Sequence, residues 1–220
     1  MDIYCERVND GFWAEPLNAV TNLAFLIAVV WVVKALNGSV RPAVKFWDLW
    51  LLVVLLALIG LGSFLWHTLA TSWSALADVL PILGFIYVYL LSFLARVAKF
   101  SLMGMGFWFS VFLFLNYLVY TELPANFLNG SVFYLPAWVS LLAMTIYCRV
   151  AGLSAGRDLF LASLVFTVSL TFRSVDQALC EAWSLGTHFV WHLLNALVLY
   201  RTMRAIMPLR ADRQRAIAGN

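Results

Sequence analysis

Apolar runs of close to twenty residues recur along this chain, separated by short polar breaks. They cover about 17–36, 46–69, 76–95, 102–120, 131–147, 159–172 and 185–207. A helix needs about 20 apolar residues to cross the hydrocarbon core of a bilayer, so each run is a candidate span. The breaks carry turn chemistry: Asn37-Gly38, Arg41-Pro42, Leu123-Pro124, Asn129-Gly130 and Ala155-Gly156. Of the 220 residues, 64% are hydrophobic and 11% charged, against roughly 25% charged in ordinary soluble domains. Too few polar residues remain to coat a soluble globule. That argues against a soluble enzyme, a nucleic-acid-binding module and a disordered chain. The expected fold is an all-α membrane bundle of seven transmembrane helices, one domain over 1–220 with an acidic head (1–16) and a basic tail (208–220). With Asp2, Glu6, Asp10 and Glu15 the head does not read as a removable signal peptide.

The positive charges orient the bundle. Twelve of the fourteen Lys and Arg residues fall on one side of a seven-span layout, and only Arg7 and Arg173 on the other. By the positive-inside rule, the tail and the loops 1–2, 3–4 and 5–6 are expected in the cytoplasm and the N-terminus outside.

The three histidines, His67, His188 and His192, lie inside or at the edge of apolar runs. Ionisable residues there are costly and mark functional sites by default. His188 and His192 are spaced i, i+4, and so are Ser63 and His67; each pair shares one helix face. Asp78 opens the third run. The topology puts all five residues in the same outer layer. Three imidazoles plus a water form the open, catalytic type of zinc site. Zinc lowers the pKa of its water to about 7. Asp78 would orient or deprotonate that water, and Ser63 would hydrogen-bond a developing oxyanion. Two alternatives stand beside this: histidines that merely pack between helices, and metal-free Ser-His-Asp hydrolysis, which leaves two histidines unexplained.

Ser63-Phe64-Leu65-Trp66-His67, then Asp78, then Gly186-Thr187-His188-Phe189-Val190-Trp191-His192 resembles the alkaline ceramidases. These belong to a superfamily of seven-span proteins, read as hydrolases, that includes the adiponectin receptors. Phe12-Trp13-Ala14-Glu15-Pro16-Leu17-Asn18 and Arg173-Ser174-Val175-Asp176 look similar to prokaryotic members. The resemblance covers nearly the whole chain. It implies a zinc-dependent amidase cleaving a ceramide-like lipid to a sphingoid base and a fatty acid. Zinc would be held by His67, His188 and His192, with Ser63 and Asp78 catalytic. Its partners would be the lipid substrate and membrane lipids, with no nucleic acid. The rival function is a seven-span receptor or scaffold with a structural zinc.

Eukaryotic members also bind Ca2+ through an acidic N-terminal segment. Glu6, Asn9, Asp10 and Glu15 offer oxygen ligands of that hard type, although the spacing between the two Glu residues is shorter. The alternative is a solvated acidic cap. Family members carry a cysteine at the places of Cys5 and Cys180, which implies a disulfide on the outer side; two free thiols are the other possibility. Arg173 and Asp176, at i, i+3, are expected to pair with each other or to brace the site.

Overall fold

The computed structural model describes residues 4–37 and 46–207. Asp2, Gly38, Arg41, Pro42, Lys45, Arg210, Arg213 and Arg215 lie outside the described residues. The fold is all-helical, with no strand among the described residues: α1 (Pro16–Thr21), α2 (Leu23–Asn37), α3 (Trp47–Leu69), α4 (Ser72–Arg96), α5 (Leu102–Glu122), a 3-10 segment (Phe127–Tyr134), α6 (Leu135–Val150), α7 (Ala155–Leu179) and α8 (His188–Ile206). Six stretches are long and apolar enough to cross a membrane, counting Pro16–Asn37 and Phe127–Val150 as one each. That marks the chain as an integral membrane protein. The seventh expected span is α8, which falls outside this set: its 19 residues include His188, His192, Asn195, Arg201 and Arg204.

Three expected boundaries move, each for a physical reason. The first run breaks at Asn22, whose side chain bonds back to Asn18 O at 2.8 Å, so one apolar window holds two helices. The third begins earlier than its apolar residues do. Ala70 takes a left-handed conformation (φ 46°), and Thr71 and Ser74 then form a reciprocal capping box that starts α4. The sixth extends well beyond its uncharged stretch, because Asp158 and Asp176 are buried inside the bundle.

Consecutive helices pack side by side, and α8 closes the ring between α7 and α2. α5 buries only Phe112 and leaves Leu102, Met103, Phe107 and Phe114 exposed, which suits contact with lipid. Two glycines set the depth of the contacts around α3. A Cβ at Gly60 would press on Phe25 and the Asn22 carbonyl, and one at Gly62 would overlap the Ala77 carbonyl of α4. Pro81 has no N–H to bond that carbonyl within α4, so the α3 backbone can lie against it. This backbone contact brings Ser63 beside Asp78.

Candidate metal centre

The C-terminal end of α3, the N-terminal ends of α1, α4 and α8, and the C-terminal part of α7 meet at one end of the bundle. The opposite end holds the Asp48–Arg96 pair and the Asp158–Arg201 pair.

His67, His188 and His192 converge here, all buried, with one nitrogen of each lying within 4.8 Å of the others. Their ring centroids are 4.7–5.2 Å apart. Nitrogens on a tetrahedral zinc at about 2.0–2.1 Å lie about 3.4 Å from one another, so the cluster needs only a small contraction to reach that geometry. The nitrogens are also chemically suited. His188 Nδ1 and His192 Nε2 are buried with no hydrogen-bond partner. Such an atom is costly unless something fills its lone pair.

Two rings are held from behind. His67 Nδ1 lies 2.6 Å from Glu15 Oε2. With Nδ1 directed at Glu15, ligation by this ring falls to Nε2. His192 Nδ1 lies 3.0 Å from Thr21 Oγ1. The Thr21 hydroxyl proton goes to Leu17 O at 2.7 Å, so its oxygen accepts from Nδ1–H and Nε2 is again the unprotonated atom. A partner on the non-ligating nitrogen is the usual support of a metal-bound histidine. The third ring, His188, stacks on Tyr4 at 3.8 Å between centroids.

The start of α8 is fixed from α7. Asp176, wholly buried, accepts from Thr187 N (2.6 Å) and His188 N (2.9 Å) through Oδ1 and from Cys5 N (3.3 Å) through Oδ2. Gly186 (φ 62°) admits this approach; a Cβ there would collide with the Asp176 carboxylate. Cys5 and Cys180 form a disulfide with Cα atoms 5.2 Å apart, tying the N-terminal segment to the same corner. Asp176 and Arg173 do not pair. The carboxylate is taken up by backbone amides, and the guanidinium turns instead to Asn129 O (2.6 Å) and Ser131 Oγ (3.1 Å).

Ser63 and Asp78 both line a cavity of about 170 Å³ together with His188 and His192, which is room for several waters. The Ser63 hydroxyl interacts with the Asp78 carboxylate, whose Oδ1 is buried without a hydrogen-bond partner. Ile59, Ile82, Tyr134 and Asn195 are shared with a second, apolar cavity of about 80 Å³ deeper in the bundle.

Three of the four residues expected to hold Ca2+, Glu6, Asn9 and Glu15, already have partners within the chain. Glu6 spends both oxygens on the amides that open α1, Leu17 N (2.7 Å) and Asn18 N (2.8 Å). Asn9 Oδ1 accepts from Gly11 N. Arg7 bonds Glu15 Oε1 at 2.6 Å, and Asn18 bonds Oε2 at 2.9 Å. A cation from the chain therefore meets Glu15, and the carboxylate serves His67. Among the described His, Cys, Asp and Glu residues, the histidine trio is the one group of three or more arranged as metal ligands.

Glu15→Gln is expected to weaken metal affinity or turnover by about 10–100-fold, the usual cost of losing such a support. Metal titration of the purified variant checks it; unchanged affinity and turnover would show that Glu15 does not hold the ring. Sequence reasoning missed this role of Glu15, and those of Thr21 and Tyr4; for Asp176 it offered bracing of the site as one of two readings, and the carboxylate holds the start of α8. For Glu15, an acid directly before a proline, Glu15-Pro16, was the available signal.

A search against protein-family models and against curated proteins finds no match for the chain.

Proposed function

We propose that the protein is a zinc-dependent intramembrane hydrolase that cleaves the amide bond of a ceramide-like lipid. The observation that supports this most is the convergence of three buried histidines beside Asp78 and Ser63, on a polar cavity that adjoins an apolar one. The resemblance of the Ser63–His67, Asp78 and His188–His192 motifs to alkaline ceramidases points the same way.

His67, His188 and His192 would hold the zinc, which when bound acts as a Lewis acid and lowers the pKa of water to about 7. Asp78 accepts a proton at its buried Oδ1 from the attacking water and passes it to the leaving nitrogen. Once Asp78 carries that proton, the Ser63 hydroxyl is free to donate its hydrogen bond to the carbonyl oxygen, where negative charge builds. The C–N bond breaks, the water oxygen joins the acyl carbon, and a fatty acid and an amine leave. The adjoining apolar cavity, lined by residues such as Phe85, Leu141 and Met144, suits the first few carbons of an acyl chain.

In this reading α8 is the seventh span. Its polar residues face helices rather than lipid: His188, His192, Asn195 and Thr202 are buried. The N-terminus and the site then lie outside, and the tail is cytoplasmic.

The test is product analysis with the purified, lipid-reconstituted protein and a ceramide labelled in its acyl chain. Labelled fatty acid and free sphingoid base in equal amounts are expected. Binding of the ceramide with no turnover would favour a receptor or scaffold with a structural metal.

A further inference from the structure

Arg173 stands on the wall of the same cavity as Asp78, His188 and His192. Its guanidinium lies over the Tyr134 ring (5.3 Å) and the Trp191 ring (5.8 Å). Nη1 uses its two hydrogens on Asn129 O and Ser131 Oγ. Among the described residues, Nε and Nη2 make no hydrogen bond, and none of the ion pairs includes Arg173. Asp176, one turn on, is committed to the backbone amides of Thr187, His188 and Cys5.

A guanidinium presents five donors in a flat fork that matches a carboxylate. Here the fork is pinned by two aromatic faces and two oxygen acceptors, with the rest of its donors left over at a half-buried position. Asp78, on the same cavity, acts on it only through space and makes no ion pair with it, and donors left unfilled in such a place are expensive to keep. A ceramide offers only hydroxyls on the amine side of its amide and makes no use of a positive charge.

We infer that Arg173 is an anion-recognition residue of this cavity, and that the lipid cleaved there carries a carboxylate on the amine side of its amide, as an N-acyl amino acid does. This rests on the amide-hydrolase reading but departs from its ceramide-like substrate: ceramide is then cleaved as a neutral amide, less well than an acidic one. The acyl chain enters the apolar cavity, the amide carbonyl meets the histidine cluster, and the carboxylate pairs with Nε and Nη2 of Arg173. A carboxylate also arises on the acyl carbon when the fatty acid forms, so the experiment must separate the two sources.

The full chain, purified in lipid nanodiscs, is compared on an N-acyl glycine and an N-acyl ethanolamine of the same chain length. Binding and kcat/KM are measured for wild type, R173Q and R173K, with the free fatty acid as a competitor. Wild type is expected to prefer the acidic amide. R173Q is expected to lower the acidic-to-neutral ratio by roughly 10–100-fold, the worth of hydrogen bonds to a charged group, mainly through KM. R173K is expected to recover part of it. A wild type that does not distinguish the two amides overturns the inference without any variant, as does a ratio unmoved in R173Q, the mark of a brace. A preference confined to the free fatty acid also overturns it. Were neither amide cleaved, binding of N-acyl glycine that depends on Arg173 would still uphold the recognition site, while the hydrolase reading would fall.

Discussion

His67→Ala, His188→Ala and His192→Ala are each expected to lose stoichiometric zinc and, with it, measurable amide hydrolysis. Three protein ligands are the minimum of the open catalytic type, so none is spare. The rings arrive from two helices, α3 and α8, and lie against one another with centroids 4.7–5.2 Å apart. Removing one leaves the remaining pair to bind the ion, and two-ligand affinity does not survive purification in a chelating buffer. The three variants are expected to differ in stability. His67→Ala strips Glu15 of one of its buried partners, leaving a carboxylate served by Arg7 and Asn18. His188→Ala leaves the capping by Asp176 in place, because that bond is to the backbone. Metal analysis and thermal melting of the three proteins check this; full zinc content in any of them would remove that residue from the site.

Asp78→Asn is expected to keep zinc and lose about 10²–10⁴-fold in turnover, the usual contribution of a positioned acid–base group. The amide side chain keeps the shape and the contact with Ser63 but cannot take the water's proton. The loss should fall on kcat, since in the proposed reaction Asp78 would meet the reacting atoms rather than the chain of the lipid. Wild-type turnover in a zinc-loaded Asp78→Asn protein would exclude the carboxylate from the chemistry.

The residues that converge were legible because ionisable groups are rare in apolar runs, and because i, i+4 spacing is local information. Ser63, His67, Asp78, His188 and His192 needed only the topology to place them at one end. What supports them was not legible. Glu15 sits 52 residues from His67, and the resemblance of the acidic head, against its shorter Glu6–Glu15 spacing, suggested a calcium ligand. No local pattern shows that Arg7 lies between such partners. Arg173 and Asp176 illustrate the converse: a pair or a brace was expected of their i, i+3 spacing, and which of the two holds depends on distant segments, the 129–131 loop that claims Arg173 and the start of α8 that claims Asp176. The break at Asn22 is invisible to hydropathy, because a single amide in an apolar window hardly changes its mean. That Gly62 faces the carbonyl released by Pro81 depends on how α3 and α4 meet, which no local pattern shows.

Zinc content of the purified wild-type protein tests the central claim most directly. The chain would be extracted in mild detergent without added metal and measured by elemental analysis against protein concentration. One zinc per chain, removed by a strong chelator and restored on adding Zn2+, is the expected result. Protein that holds no zinc after reconstitution with the metal, while its disulfide and helix content are intact, would contradict it.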